Sequence, residues 1–310
     1  MRLPLINLPL ADPPAGVEYP FTLDQRRPDG QADSSVVSRC LIGIVVGVVA
    51  FAILVPASAS GMGLAAGMLA GAADLEAFQQ QVVDMSTPLG MVIRHLSLGL
   101  LILIAFGLYV GLHRRRGRWL NSVQPGFRWR FWLLAFGISL PGLFIVMWAT
   151  SGFTLAAPNP EPDWASFLVA IVLTAPIQAA AEEFFFRGYL LAAITPATSN
   201  KWVGVVFAAA FFAFFHGSQN WPLLADRFAF GILAGALVIL TGGLEAAIAA
   251  HVANNLIAFS YATLTTSVSA AAATSEITWG AAVLDVVGYA AVAALLYLLG
   301  RKLKVATTTP

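Results

Sequence analysis

Charge and cysteine are what this chain has least of. Lysine, arginine, aspartate and glutamate make up 11% of its 310 residues, against roughly 25% in an average soluble domain. Cys40 is its one cysteine, which excludes an intrachain disulfide and a thiolate metal cluster. The formal net charge is +1, so nothing favours nucleic acid or an acidic partner. No His-Glu-x-x-His zinc motif is present. What the chain does have is apolar surface: 58% hydrophobic residues and a mean hydropathy of +0.79. This balance predicts an all-α, polytopic transmembrane helix bundle with the lipid bilayer as its surroundings.

Pro4, Pro9, Pro13 and Pro14 interrupt any apolar core that a signal peptide would need. Residues 1–38, polar and proline-rich, read as a disordered cytoplasmic tail. About eight spans are expected within 39–304, and 305–310 read as a second tail. The first span is expected over 40–57, closed by Pro56, with the short apolar stretch 61–73 extending it or lying at the interface. Ser86, Thr87 and Pro88 read as a cap and first-turn proline opening the second span, which runs to Leu112. Arg94 and His95, early in that span, read as snorkelling or facing other helices. The remaining spans are expected at 131–150, 164–194, 202–216, 228–240, 244–261 and 279–299. At about 45 Å the fourth is longer than a bilayer core needs, and Pro176 is expected to kink it. Arg114, Arg115, Arg116, Arg118, Arg128 and Arg130 stand in one stretch without an acid, which predicts a cytoplasmic loop. Alternation then puts both termini in the cytoplasm, and the expected location is a prokaryotic cell membrane.

Glu182, Glu183 and Arg187 interrupt one of the most apolar stretches. Ionised groups at membrane depth are costly and mark functional sites. Helical spacing places Glu183 and Arg187 on one face, able to pair, while Glu182 points about 100° away without a partner from its own helix. Two further polar clusters follow. His216 ends the fifth expected span, and His251 and Asn255 share a face of the seventh. A lone buried histidine is more often a satisfied core residue than a functional one. A carboxylate, two imidazoles and an amide, however, find no partners in lipid, so these groups are expected to converge. His216 is offset axially from the span centres by roughly 9 Å, which tilt and stagger absorb. The sixth span, read as 228–240, carries no ionisable residue, which argues against an ion path.

Glu182-Glu183-x-x-x-Arg187, Phe212-x-x-x-His216 and His251-x-x-x-Asn255, in this order, resemble the three motifs of the CAAX protease and bacteriocin-processing family of intramembrane endopeptidases. Phe186-Arg187-Gly188 and the glycines Gly231 and Gly235 are similar to that family too. The resemblance covers 176–256, inside a protease-like core of about 164–263. It implies a catalytic cavity within the membrane and a membrane-associated peptide or protein substrate. Glu182 with His216 would activate water, His251 and Asn255 would hold the oxyanion, and Glu183 and Arg187 would form a structural pair. A carboxylate in apolar surroundings is a stronger base than one in water, which suits this role. Zinc held by Glu182, His216 and His251 is the alternative, because two histidines and a carboxylate suit a catalytic zinc. Ligation through Glu182 would leave no obvious general base, so the reading without a cofactor is preferred. The rival functions are a non-catalytic peptide-binding scaffold or bacteriocin-immunity protein, and an ion-coupled transporter. The motifs encode neither the substrate's sequence nor an oligomeric state.

Overall fold

A computed structural model describes residues 10–23 and 34–310. Among the described residues there are helices and no strand. In chain order these are α1 (Ser34–Leu69), α2 (Leu75–Val83), α3 (Pro88–Gly107), α4 (Trp129–Thr150), α5 (Trp164–Glu182), α6 (Leu191–Thr198), α7 (Lys201–Phe214), α8 (Trp221–Thr241), α9 (Glu245–Thr265), α10 (Val268–Ala272) and α11 (Trp279–Lys302). A π-helical turn, Leu108–Leu112, prolongs α3, and a second, Glu183–Leu190, joins α5 to α6 without a break. Six of the resulting rods are long and apolar enough to cross a bilayer. The shorter α7 and the more polar α9 stand at the two other expected positions and are not among these six.

Many large apolar side chains face outward. Val45, Ile53, Leu103, Val172 and Val287 are exposed, while small residues such as Ala175, Ala179, Ala181, Ala246 and Ala253 are buried between helices. Such an outer surface is stable only in hydrocarbon, and small residues let helix backbones approach closely inside it. Trp129, Trp164, Trp221 and Trp279 each open a helix and are exposed, forming the aromatic belts of a bilayer's two interfaces. The chain is an integral membrane protein.

Several boundaries differ from those expected. Pro56 does not close α1, which continues as one helix to Leu69. Proline removes only one internal hydrogen bond, and membrane helices tolerate it where neighbours support the backbone. That support is present, since α2 folds back over Gly63 and Gly67 and Gln79 Nε2 donates to Ser60 O at 2.7 Å. Pro176, by contrast, sits inside α5, which runs on through it as expected. The helix α8 starts at Trp221 and therefore contains Asp226 and Arg227, so the sixth span is not free of ionisable groups.

The tail expected over 1–38 is not a disordered strand throughout. Residues 1–9 and 24–33 lie outside the described residues, but Tyr19 and Leu23 are buried and Ser34 already begins α1. Tyr19 Oη donates to Leu120 O at 2.5 Å, and Lys201 Nζ pairs with Glu18 at 2.6 Å. Asp12 accepts from Trp119 Nε1 at 2.6 Å and from Arg118 Nη2 at 3.0 Å. The 305–310 segment folds back too, where Thr309 N donates to Val17 O and Arg128 Nη1 to Ala306 O. Arg128 also pairs with the fully buried Glu245, Nη2 to Oε2 at 2.6 Å. The arginines thus pin the segments at one end of the bundle together.

Within the bundle, α9 packs between α4 and α5, α3 lies against α5, and α8 lies between α7 and α11. The connections before α4, α7 and α9 meet at the end that carries both terminal segments, as Val123 N to Gly242 O (2.9 Å) and Leu244 N to Asn121 O (2.9 Å) show. Those before α3, α5, α8 and α11 meet at the opposite end, tied by Asn159 N to Leu264 O (2.9 Å) and Asn220 N to Ser275 O (2.8 Å).

Candidate active site

The helical spacing works as expected at Glu183 and Arg187, which pair through Oε1 and Nη1 at 3.0 Å with both side chains buried. The pairing survives although the backbone widens into a π-helical turn at Glu183, a distortion common at functional sites. The Arg187 guanidinium lies 4.1 Å from the ring centre of Phe212, so a cation at membrane depth has an anion and an aromatic face as partners. Gly231 makes room for this arrangement. A Cβ there would stand 2.7 Å from Ala209 Cβ and 3.4 Å from Arg187 Nη2.

His251 bridges the two glutamates. Its Nδ1 lies 2.8 Å from Glu183 Oε1, and its Nε2 lies 3.5 Å from Glu182 Oε2. A carboxylate can only accept, so the Nδ1 proton belongs to the Glu183 contact and Nε2 is turned toward Glu182. Glu182 itself is held from the other side: Gln178 Nε2 donates to Oε1 at 2.6 Å. Gln178 Oε1 accepts from Asn255 Nδ2 at 2.7 Å, and Asn255 Oδ1 from Asn254 Nδ2 at 3.1 Å. Tyr289 Oη closes the series by donating to Asn254 Oδ1 at 2.9 Å. A hydrogen-bonded chain therefore runs from α11 through α9 to one oxygen of Glu182. The other oxygen, Oε2, is buried without a hydrogen-bond partner.

His216 arrives by a different route. The helix α7 stops at Phe214, so the histidine stands just past its end and not within the span. Its Nδ1 donates to the carbonyl of Phe212 at 2.7 Å, which leaves Nε2 as the ring's acceptor. Glu182, His216, His251 and Asn255 all line one cavity of about 340 Å³. Glu182 and His216 share that space without an ion pair between them. The four groups expected to converge do so, and Glu183 and Arg187 stand behind them.

Residues 163–257 match the type II CAAX prenyl endopeptidase Rce1-like family. The matched stretch holds all three motifs and agrees with the resemblance drawn from them. The chain is also similar to the uncharacterized protein YyaK of Bacillus subtilis (strain 168), at 34% identity over 95 residues, 29% of this chain. That stretch spans 32% of the relative's length, so the likeness concerns a core and not two whole proteins. No solved structure matches the chain.

The zinc alternative requires Glu182, His216 and His251 to converge on one point. Among the described residues no group of three His, Cys, Asp or Glu side chains does so. His251 faces a glutamate through each ring nitrogen, and His216 is turned by its bond to the Phe212 carbonyl.

Several residues of the site were not anticipated. Gln178, an amide one turn before Glu182 in an otherwise apolar helix, is a signal of the same kind as the glutamates. Tyr289 carries no such signal, since one tyrosine in an apolar helix is unremarkable. Asp226 and Arg227 also line the cavity, and Arg227 Nη1 donates to Gln219 Oε1 at 2.7 Å. These ionisable groups line the same cavity as Glu182, so the sixth span is not uncharged and does not argue against an ion path.

Proposed function

We propose that this chain is an intramembrane endopeptidase whose base is Glu182, acting on a peptide bond of a membrane-associated peptide or protein. The observation that carries the reading is the asymmetry of that carboxylate. Oε1 is fixed by Gln178, while Oε2 has no hydrogen-bond partner in a cavity that His216 and His251 also line. A general base needs one such free oxygen, oriented and shielded from bulk water.

In this mechanism a water sits between Glu182 Oε2 and His216 Nε2. Its oxygen attacks the scissile carbonyl carbon as its proton passes to Glu182. The carbonyl oxygen becomes an oxyanion, and donors aimed at it stabilise the transition state. The second N–H of the Asn255 amide supplies one, the first being used on Gln178, and Nε2 of His251 supplies another when it carries a proton. Glu182 then returns the proton to the leaving nitrogen as the C–N bond breaks. Glu183 and Arg187 position His251 and take no proton. No cofactor enters these steps.

The test is cleavage of a peptide library by the purified protein in detergent, wild type against Glu182→Gln. The variant keeps side-chain volume and the Gln178 contact but cannot take the proton. Activity is expected to fall by about 10²–10⁴, the range a general base supplies, with an unchanged unfolding temperature. A folded variant that still cleaves near the wild-type rate would remove Glu182 from the mechanism.

A further inference from the structure

The two ends of the bundle differ in charge and in access. One end gathers Arg114, Arg115, Arg116, Arg118 and Arg130, with Arg301, Lys302 and Lys304 beside them. Among the described residues the acids there, Asp12, Glu18 and Glu245, are each paired with a base. At the other end the connections 70–87, 151–163, 215–220 and 266–278 contain no lysine or arginine at all, but include Asp74, Glu76, Asp84, Glu161, Asp163 and Glu276. Basic connections remain on the cytoplasmic side during insertion, so the basic end is cytoplasmic and the acidic end is not.

The cavity belongs to the acidic end. From Glu182 and His251 its lining runs through Arg227 and Phe259 to Met85, Ala271 and Ala272 in the acidic-end connections. No lining residue comes from a connection at the basic end. There the interior is filled by Tyr19, Val123, Leu244 and Ile248, all buried and packed together, with the Arg128–Glu245 pair beside them. A substrate confined to the cytoplasmic leaflet meets this plug.

We infer that the site is open to the extracytoplasmic face, and that its substrates are peptide segments presented there by membrane-anchored or exported chains. The substrate part of this inference rests on the protease reading, whereas the orientation does not.

Labelling of intact bacterial cells with a membrane-impermeant maleimide tests the orientation. Wild type carries only the buried Cys40 and serves as the blank. Ala272→Cys places a thiol at the exposed mouth, and Gln124→Cys places one on an exposed loop of the basic end. Ala272→Cys is expected to label in intact cells and Gln124→Cys only after permeabilisation. The reverse pattern, or labelling of both in intact cells, would overturn the inference. Sealed vesicles of either orientation, holding the wild type or Glu182→Gln, then receive a quenched fluorogenic peptide library that carries sulfonates to bar it from crossing. Cleavage is expected from right-side-out vesicles, to be lost in Glu182→Gln, and inside-out vesicles are expected to show none until opened. Cleavage chiefly by inside-out vesicles would overturn the inference without any engineered cysteine. Labelling as expected with no cleavage on either side would refute the protease reading, and with it the substrate assignment, while leaving the orientation in place.

Discussion

Replacing Arg187 with methionine removes a cation that is fully buried and keeps most of its volume. In the wild type its guanidinium is 3.0 Å from Glu183 Oε1 and stacks on Phe212 at 4.1 Å. Without it the charged or polar contact that the described residues leave to the buried Glu183 carboxylate is His251 Nδ1, at 2.8 Å. Breaking one side of a buried pair costs about 3–5 kcal/mol, because the remaining ion is uncompensated. His251 offsets part of this, so about 3 kcal/mol is the expected loss. For a chain of this size that corresponds to a fall in unfolding temperature of roughly 10 °C, at 2–4 °C per kcal/mol. Glu183→Gln should also destabilise, since its amide oxygen can still accept from Arg187 but leaves the guanidinium charge uncompensated.

The double variant Glu183→Gln/Arg187→Met decides whether the pair is the cause. It carries no buried charge at either position, and the new amide oxygen still accepts from His251. Replacing a whole buried pair by neutral groups is often close to neutral in stability. The double variant should therefore regain most of what each single variant loses, a coupling visible in a thermal-unfolding double-mutant cycle in detergent. Losses that simply add, or single variants as stable as the wild type, would refute the reasoning. Stable but inactive single variants would instead place the pair in the chemistry.

The hydrogen-bonded chain behind Glu182 makes Gln178 a positioning residue. Gln178→Leu removes a hydrogen bond to a charged group worth about 1.5–3 kcal/mol, so kcat should fall by about 10–10², with KM little changed. A shift in KM alone would assign Gln178 to substrate binding. Asn255→Ala should lower kcat by about 10²–10³ if its second N–H serves the oxyanion, and steady-state kinetics showing a pure KM effect would contradict that role. Purified active enzyme should contain well under one zinc per chain by elemental analysis and keep its activity through prolonged chelation. Near-stoichiometric zinc, lost with activity in Glu182→Ala and restoring activity when added back to metal-free wild type, would reverse the choice of mechanism.

The amino-acid sequence disclosed the groups that lipid cannot satisfy, because their cost in hydrocarbon makes them stand out. Glu182, Glu183, Arg187, His216, His251 and Asn255 are legible for that reason, and so was Gln178 in principle. Tyr289 was not, since its part depends on α11 lying against α9, a packing relation that no local pattern encodes. The ends of helices were harder to read than their middles. Asp226 and Arg227 lie in the first turns of α8, where polar residues reach toward an interface, so the apolar run alone placed the start too late. The segment 10–23 was misjudged for a related reason. Its composition suits disorder, but Tyr19 and Asp12 find partners on distant loops.

The placement of His216 joins fold to chemistry. A helix ending at membrane depth leaves carbonyls without donors, and unwound backbone is tolerated there only where it lines a cavity and finds other partners. The chain supplies them from its next turn. His216 Nδ1 donates to Phe212 O at 2.7 Å, and Gln219 Nε2 donates to Ala213 O at 2.7 Å. The histidine is thus a C-terminal cap before it is anything else. The same bond fixes the proton on Nδ1 and leaves Nε2 as an acceptor, the state needed to hold a water against Glu182. Had α7 run on regularly through His216, its carbonyls would have been paired along the helix and the ring would have lost the partner that sets its tautomer. The early stop that makes α7 too short to span the bilayer alone is therefore what equips the cavity with an oriented imidazole.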